Sequence, residues 1–231
     1  VQHIGVVRKF FVNLQPVMAN RQQEDVLRLE KIGHSFGRRR ILQALELQIK
    51  PGEIVMLTGA SGSGKSTLAR IAAGLLKPQT GQVIAPLHGV CYVFQSDVLF
   101  PRESVAENAG FHLRPENTAE AARAIALVGL EADLLAGNLS GGMRRRLALA
   151  RGLATPATFL LLDEPFAGLD ARAVRQLLQV IADAARGGRG ILLITHNVTD
   201  EMRALAESAL KIVSGTLQPV EAPKISSAGN Q

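Results

Sequence analysis

The sequence predicts an α/β fold in which a mainly parallel β-sheet carries helices on both faces. Two observations lead to this prediction. Short apolar, β-branched runs alternate with helical patterns through both halves of the chain, an alternation typical of parallel strands joined by crossover helices. A region of about residues 102–150 interrupts this alternation with helical patterns, which predicts a mostly helical subdomain inserted into the core.

The composition sets wide limits on the class of protein. The 231 residues are enough for one substantial core, and 47% hydrophobic with 20% charged residues are ordinary values for a globular chain. A net charge of +6 could suit nucleic acid or an anionic membrane, but most arginines are scattered, which favours an ordinary basic surface. The lone Cys91 excludes a disulfide framework, and no apolar run reaches the roughly 18 residues that span a bilayer.

The chain is expected to consist of an N-terminal extension (residues 1–25), one domain (residues 26–217) and a polar tail (residues 218–231). The first residues are basic and then apolar, as at the start of a signal peptide, but the small-residue cleavage pattern is absent. A polar segment that opens at Met18 leads into the first predicted strand. We therefore expect the functional domain to begin near Met18.

Three strands are predicted at the start of the domain. Residues 26–32 and 41–49 alternate apolar and polar side chains, as half-buried strands do. After a turn at Pro51-Gly52, residues 54–57 form a continuous apolar run that is typical of a buried strand. A helix is expected from Leu68 onward.

The remaining elements follow the same two patterns. Within the insertion, a helix over residues 118–129 would place Ala121, Ala124, Ile125 and Val128 on one face. A continuous apolar run at residues 158–163 is typical of a central strand buried on both faces. The other predictions are strands at 82–84, 90–94, 191–195 and 210–213, and helices at 143–153, 171–185 and 199–206.

A glycine-rich turn between the buried strand and the helix is the most informative motif. It fits the phosphate-binding pattern G-x-x-x-x-G-K-S/T, and glycines there let consecutive backbone N–H groups approach a polyphosphate. Lys65 would reach the β- and γ-phosphates, and the Ser66 hydroxyl would bind Mg²⁺. A flexible Gly/Ser loop would not explain Lys-Ser at this offset, so the motif predicts a nucleoside triphosphate site. Its residues are Gly59, Ala60, Ser61, Gly62, Ser63, Gly64, Lys65, Ser66 and Thr67.

A second motif, Asp163-Glu164-Pro165, ends the predicted central strand. Ligands of open α/β sheets bind at the carboxyl ends of the strands. Asp163 there would complete the magnesium shell of the nucleotide, and Glu164 would polarise a water aligned with the γ-phosphate. The alternative is an ordinary Asp-Glu-Pro turn at a strand end, but the phosphate loop upstream favours the catalytic interpretation.

Together with a third motif, these residues make the chain resemble the nucleotide-binding subunits of ATP-binding-cassette (ABC) transporters over about residues 26–217. The third motif, Leu139-Ser140-Gly141-Gly142-Met143, is similar to the family signature, although Met143 stands where Gln is commoner. Ser-Gly-Gly at a helix N-terminus is itself an anion site. In the family, Ser140, Gly141 and Gly142 would contact the γ-phosphate held by the opposite subunit.

The resemblance implies the fold and several further roles. It implies a P-loop NTPase core with an antiparallel β subdomain and the helical subdomain. Gln95 would bind Mg²⁺ and the attacking water and contact the membrane partner, and His196 would sense the γ-phosphate and support Glu164. Gly168-Leu169-Asp170 resembles the loop that bridges the two sites of a dimer. Phe36 matches the aromatic that stacks on adenine, with a place in the hydrophobic core as the open alternative.

The resemblance also implies the activity and the partners. The chain would be an ATPase that uses ATP and Mg²⁺, forms a homodimer on ATP and drives import through separate integral membrane permease subunits with a solute-binding protein. It would lie peripherally on the cytoplasmic face of the membrane, with no nucleic acid partner. The short segment between Lys65 and Gln95, together with the motifs at residues 139–143 and 163–170, resembles the nitrate, sulfonate and taurine importers. An exporter or lipid-trafficking cassette, or a soluble regulatory ATPase, remains the alternative.

Overall fold

The computed structural model describes residues 26–86, 89–111, 113 and 118–220. The predicted N-terminal extension, with Met18, lies outside the described residues, as does the tail from residue 221. Within the described ranges, no helix is long and apolar enough to cross a membrane.

The described part of the chain contains nine strands, six α-helices and a short 3₁₀ helix at Ala136–Asn138, and most of these elements coincide with predicted ones. The strands are β1 Leu27–Phe36, β2 Arg39–Ile49, β3 Ile54–Thr58, β4 Thr80–Ile84, β5 Val90–Val93, β6 Phe159–Asp163, β7 Gly190–Ile194, β8 Ser208–Val213 and β9 Thr216–Pro219. The helices are α1 Lys65–Ala72, α2 Val105–Gly110, α3 Thr118–Leu127, α4 Gly141–Ala154, α5 Ala171–Arg186 and α6 Asp200–Leu205.

Six strands form a mainly parallel sheet in the order β5-β6-β7-β3-β8-β9. Each neighbouring pair from β5 to β8 is parallel, and β9 runs antiparallel to β8. Strands β3, β6 and β7 are buried at every residue because both faces of the sheet are covered, which explains their continuous apolar sequences. The predicted α/β core is confirmed. The last strand ends at Pro219, two residues beyond the expected end of the domain.

A separate antiparallel sheet has the order β2-β1-β4. Its apolar side chains share one hydrophobic core with α1 and with one face of the main sheet, where Leu57, Leu161 and Leu192 lie. Strand β1 continues to Phe36, beyond the predicted end at residue 32. Register shifts between Leu29 and Ser35 break the alternation of side chains, so periodicity detects only the first half of this strand.

The helical subdomain covers the opposite face of the main sheet. Helices α2, α3 and α4 contact one another, and their apolar side chains share a second core with α5 and with Leu160 and Leu193 of the sheet. The four side chains predicted to face inward from α3 are all buried: Ala121, Ala124, Ile125 and Val128. Helix α2 is not among the individually predicted elements, although a capping box of Ser104 and Glu107 marks its start.

Candidate active site

The predicted phosphate loop connects the end of β3 to the start of α1. Gly59, Gly62 and Gly64 have φ angles of 144°, 72° and 110°, in the region that favours glycine. The loop also packs closely against β2, because a Cβ on Gly64 would lie 2.8 Å from Ile41 Cγ2 and 3.0 Å from Leu42 Cδ2. Backbone conformation and space therefore both require glycine at position 64.

Lys65 opens α1, and its ammonium group folds back over the loop. Its Nζ atom donates hydrogen bonds to the carbonyl oxygens of Gly59 at 2.7 Å and Ala60 at 3.0 Å. An ammonium has three donors, so a third can point at an anion held by the loop. Ser66 and Thr67 follow in the first turn of the helix, where backbone N–H groups and the helix dipole favour negative charge. The predicted phosphate-binding residues thus lie together.

Asp163 ends β6, and its buried carboxylate accepts a hydrogen bond from Tyr92. The distance from Tyr92 Oη to Asp163 Oδ2 is 2.6 Å. Burial, together with the charge of Asp163, raises the pKa of Tyr92, so the phenol stays protonated and remains a donor. Sequence periodicity assigns Tyr92 only to an apolar strand. The strand pairing supplies the missing signal, since Tyr92 lies opposite Leu161 and therefore on the same face as Asp163.

The three predicted magnesium ligands line one cavity of about 250 Å³. Ser66 comes from α1, Gln95 from the loop after β5, and Asp163 from the end of β6. Hydroxyl, amide and carboxylate oxygens are the donors that Mg²⁺ takes, and Mg²⁺ also keeps several waters, for which the cavity leaves room. These residues fit the ion.

Glu164 follows Asp163 and has a backbone φ of 52°, a value that residues other than glycine rarely adopt. Its N–H donates to the carbonyl oxygen of Ile194 at 2.9 Å. Its Oε1 atom lies 2.7 Å from His196 Nδ1, and Thr195 Oγ1 lies 3.4 Å from Oε2. The structure therefore brings together the predicted pair, Glu164 and His196, and adds Thr195, which the motif does not reveal.

The segment that carries Gln95 is held from α4 by two buried arginines. Arg145 donates to the carbonyl oxygens of Phe94, at 2.9 Å, and of Gln95, and pairs with the Asp97 carboxylate at 3.3 Å. Arg151 donates to the Asp97 carbonyl at 3.1 Å. Because α4 begins at the predicted signature, these bonds tie the signature helix to the Gln95 segment. In the sequence, Arg145 stands out only as part of a basic cluster.

The predicted signature lies at the N-terminus of α4. Ser140 is the N-cap, and its Oγ accepts a hydrogen bond from the Met143 N–H at 3.3 Å. Gly141 is exposed, and a Cβ there would meet open space outside its own helix, whereas a Cβ on Gly142 would lie 3.1 Å from Leu169 Cδ2. The signature and the predicted bridging loop at Leu169 thus lie side by side within one chain.

Phe36 ends β1 and is 55% exposed, so the alternative of a hydrophobic-core residue is wrong. Its ring meets the buried His34 edge-on, with centroids 4.9 Å apart and planes at 73°. An exposed aromatic face is the kind of surface on which a base stacks. Its contact with adenine stays a prediction.

This chain is similar to known proteins. A family model described as ABC transporter matches residues 42–167. The aliphatic sulfonates import ATP-binding protein SsuB 3 of Paraburkholderia xenovorans (strain LB400) is 45% identical over 186 residues, which cover 79% of this chain and 74% of the relative. The corresponding SsuB protein of Mycobacterium avium (strain 104) is 40% identical over 196 residues, covering 81% and 77%.

Solved structures are similar in fold. The dimeric structure of MJ0796, a bacterial ABC transporter cassette, matches with a TM-score of 0.75 and 26% identity, covering 85% of this chain and 99% of that one. A dimeric post-hydrolysis state of the same cassette, bound to ADP and Pi, matches with a TM-score of 0.74 and 25% identity over the same shares. This chain is thus similar to nearly the whole length of a cassette that dimerises.

Proposed function

The chain belongs to the ABC transporter family, and we propose that it is the ATP-hydrolysing subunit of an importer for aliphatic sulfonates or a chemically similar organic anion. The ATPase role rests on one observation above all. A buried carboxylate, Glu164, is held by His196 at 2.7 Å and stands next to Asp163 at the carboxyl end of a central strand. The importer role is supported by relatives at 45% and 40% identity whose names describe sulfonate import.

The phosphate loop binds the nucleotide. Backbone N–H groups of the loop and of the first turn of α1 face the phosphate oxygens, and Lys65 brings its ammonium to the β- and γ-phosphates. Phe36 stacks on the adenine. Ser66, Gln95 and Asp163 would hold Mg²⁺, which would supply positive charge to neutralise the phosphates.

Hydrolysis then depends on Glu164. Its carboxylate accepts a hydrogen bond from the attacking water and aligns that water with the γ-phosphate. The Nδ1 atom of His196 holds the carboxylate, and the rest of its largely exposed ring is free to contact the γ-phosphate. Lys65 and the loop N–H groups stabilise the charge that develops on the transferred phosphoryl group.

Two copies of the chain complete the site. Ser140, Gly141 and Gly142 would close on the γ-phosphate bound by the partner's loop, so each ATP joins two chains and its hydrolysis releases them. The exposure of Ser140 and Gly141 at a helix N-terminus supports this role, since an anion can approach there without rearrangement. The dimeric form of the similar cassettes supports it too.

The partners follow from the importer role. Separate permease subunits would form the path through the membrane and contact the Gln95 segment. A solute-binding protein would deliver the anion, and the chain would sit on the cytoplasmic face of the membrane. ATP and Mg²⁺ are its cofactors, and the solute is recognised by the partners rather than by this chain.

Reconstitution tests the proposal. The chain is co-expressed with candidate permease subunits, and the complex is placed in proteoliposomes with a solute-binding protein. We expect ATPase activity to rise on assembly and an alkanesulfonate to be taken up, with Glu164→Gln abolishing uptake. Stimulation by DNA or RNA instead of by permease subunits, or export of the solute, would contradict the proposal.

A further inference from the structure

One side chain contacts both sides of the proposed magnesium site. The hydroxyl of Tyr92 donates to Asp163 Oδ2 at 2.6 Å, and its ring packs against Phe94 with centroids 4.5 Å apart. Phe94 directly precedes Gln95, so Tyr92 contacts one proposed ligand, Asp163 at the end of β6, and the residue next to another, Gln95 in the loop after β5. We infer that Tyr92 is a positioning residue that sets Asp163 and Gln95 relative to one another and thereby the affinity for Mg²⁺ at the nucleotide. This inference rests on the proposed function.

The register of the sheet explains why a tyrosine at position 92 can reach Asp163. Strands β5 and β6 are parallel, and Tyr92 lies opposite Leu161. Residues alternate between faces along a strand, so Asp163 points to the same face two positions further on. The tyrosine side chain spans this diagonal, since its Oη lies 2.6 Å from Asp163 Oδ2. A phenylalanine would fill the same space without a donor at its end.

The hydrogen bond restricts how Asp163 can present its oxygens. A carboxylate can rotate and offers about four acceptor positions on two oxygens. With Oδ2 bound to the phenol, Oδ1 is the oxygen left to face the cavity shared with Ser66 and Gln95. Among the described residues, Tyr92 supplies the side-chain hydrogen bond that Asp163 receives. Losing an outer partner of a metal ligand typically lowers metal affinity about 10–100-fold.

The test is Tyr92→Phe, which removes the hydroxyl and keeps the ring against Phe94. Binding of a non-hydrolysable ATP analogue is measured with Mg²⁺ and with EDTA, and the ratio of the two dissociation constants reports the contribution of the metal. We expect this ratio to fall about tenfold or more in the variant, while affinity in EDTA stays close to the parent's. A purely structural role would weaken both affinities together.

Cys91→Ala is the matched control. Cys91 is the buried neighbour of Tyr92 on β5, but it points to the opposite face, where its thiol lies 3.8 Å from Thr155 Oγ1. We expect the control to keep the parent's ratio. An unchanged ratio in Tyr92→Phe would overturn the inference and leave the proposed function standing. A parent chain whose analogue affinity does not depend on Mg²⁺ would overturn the proposed metal site and this inference with it.

Tyr92 also provides a spectroscopic readout, because the chain has one tyrosine and no tryptophan. A carboxylate hydrogen-bonded to a phenol quenches its emission, so metal that redistributes the charge of Asp163 changes this signal. We expect Mg²⁺ to alter tyrosine emission of the analogue-bound chain, and Asp163→Asn to abolish that response. Emission that does not respond to the metal would contradict the assigned contact.

Discussion

His196 Nδ1 lies 2.7 Å from Glu164 Oε1, which joins a largely exposed imidazole to an almost fully buried carboxylate. Glu164 is held at its backbone as well as at its side chain, because its backbone has a strained φ of 52° and its N–H donates to the carbonyl oxygen of Ile194. Strain of this kind persists only where the surroundings enforce it, and it is concentrated at functional sites. Glu164 is thus oriented before any substrate arrives.

Replacing Glu164 by Gln should slow hydrolysis strongly while leaving nucleotide binding intact. The amide is the same size but cannot accept a proton, and loss of a general base typically lowers a rate about 10²–10⁴-fold. The phosphate loop and Lys65 are unaffected, so affinity for ATP should hold. Single-turnover hydrolysis and equilibrium binding measure the two effects, with the exposed Glu201→Gln as control. Turnover at the parent's rate in Glu164→Gln would show that Glu164 is not the general base.

Replacing His196 by Ala should also slow hydrolysis, because Glu164 then loses the group that holds it. We expect a loss of about 10²-fold, the lower end of what one positioned acid–base group contributes. The neighbouring Asn197 is also exposed, and it bonds Thr195 through its backbone, which alanine keeps, so Asn197→Ala should keep near-parental turnover. Equal effects of the two variants on turnover would show that His196 acts only as a loop residue.

Two glycines of the phosphate loop should respond differently to alanine. Both have a positive φ, which is unfavourable for a side chain by about 1–2 kcal/mol. A Cβ at position 62 meets open space, whereas one at position 64 lies 2.8 Å from the stiff, β-branched Ile41. Urea denaturation should therefore show a larger loss of stability for Gly64→Ala than for Gly62→Ala. The reverse order would contradict the packing of the loop on β2.

Cys91 should make the folded state less stable at alkaline pH. Burial raises the pKa of the Cys91 thiol, against smaller opposing effects of Thr155, Arg151 and Arg189. In the unfolded chain the thiol ionises from about pH 8.5, while the folded chain keeps its proton, so stability falls as pH rises.

The Cys91 thiol alone can lower the free energy of unfolding by at most about 1.4 kcal/mol per pH unit. Urea denaturation of the parent and of Cys91→Ala at pH 7.5 and pH 9.5 measures this effect, and the variant should lose less stability over this interval. The same loss in both proteins would show that the thiol is not protected by burial.

The parts of the site that could be predicted are those encoded in short contiguous motifs. The phosphate loop, Asp163-Glu164 and the Ser140 motif each combine residue type, spacing and a strand or helix boundary. Contacts between distant segments could not be predicted in this way. Tyr92 and Asp163 are 71 positions apart, and they meet because β5 pairs with β6, an order that alternation of strands and helices does not determine.

The fold likewise contains elements that local sequence patterns predict and others that they miss. Continuous apolar runs predict β3, β6 and β7 closely, because these strands are buried on both faces. Periodicity fails where geometry is irregular, as in the second half of β1, where register shifts place consecutive side chains in the core. The link from Arg145 to Phe94 O depends on how the helical subdomain packs on the sheet, which no local pattern contains.

The mass of the chain in solution with ATP tests most directly whether ATP joins two copies of it. Light scattering of Glu164→Gln should show a monomer of 24.7 kDa without nucleotide and a dimer with ATP, because hydrolysis no longer separates the chains. Adding Gly141→Asp should abolish the dimer by placing a carboxylate against the partner's γ-phosphate. The fold should survive, since Gly141 is exposed in the first turn of α4, where Asp is favourable. A chain that stays monomeric at saturating ATP, or that dimerises equally without it, would contradict the account.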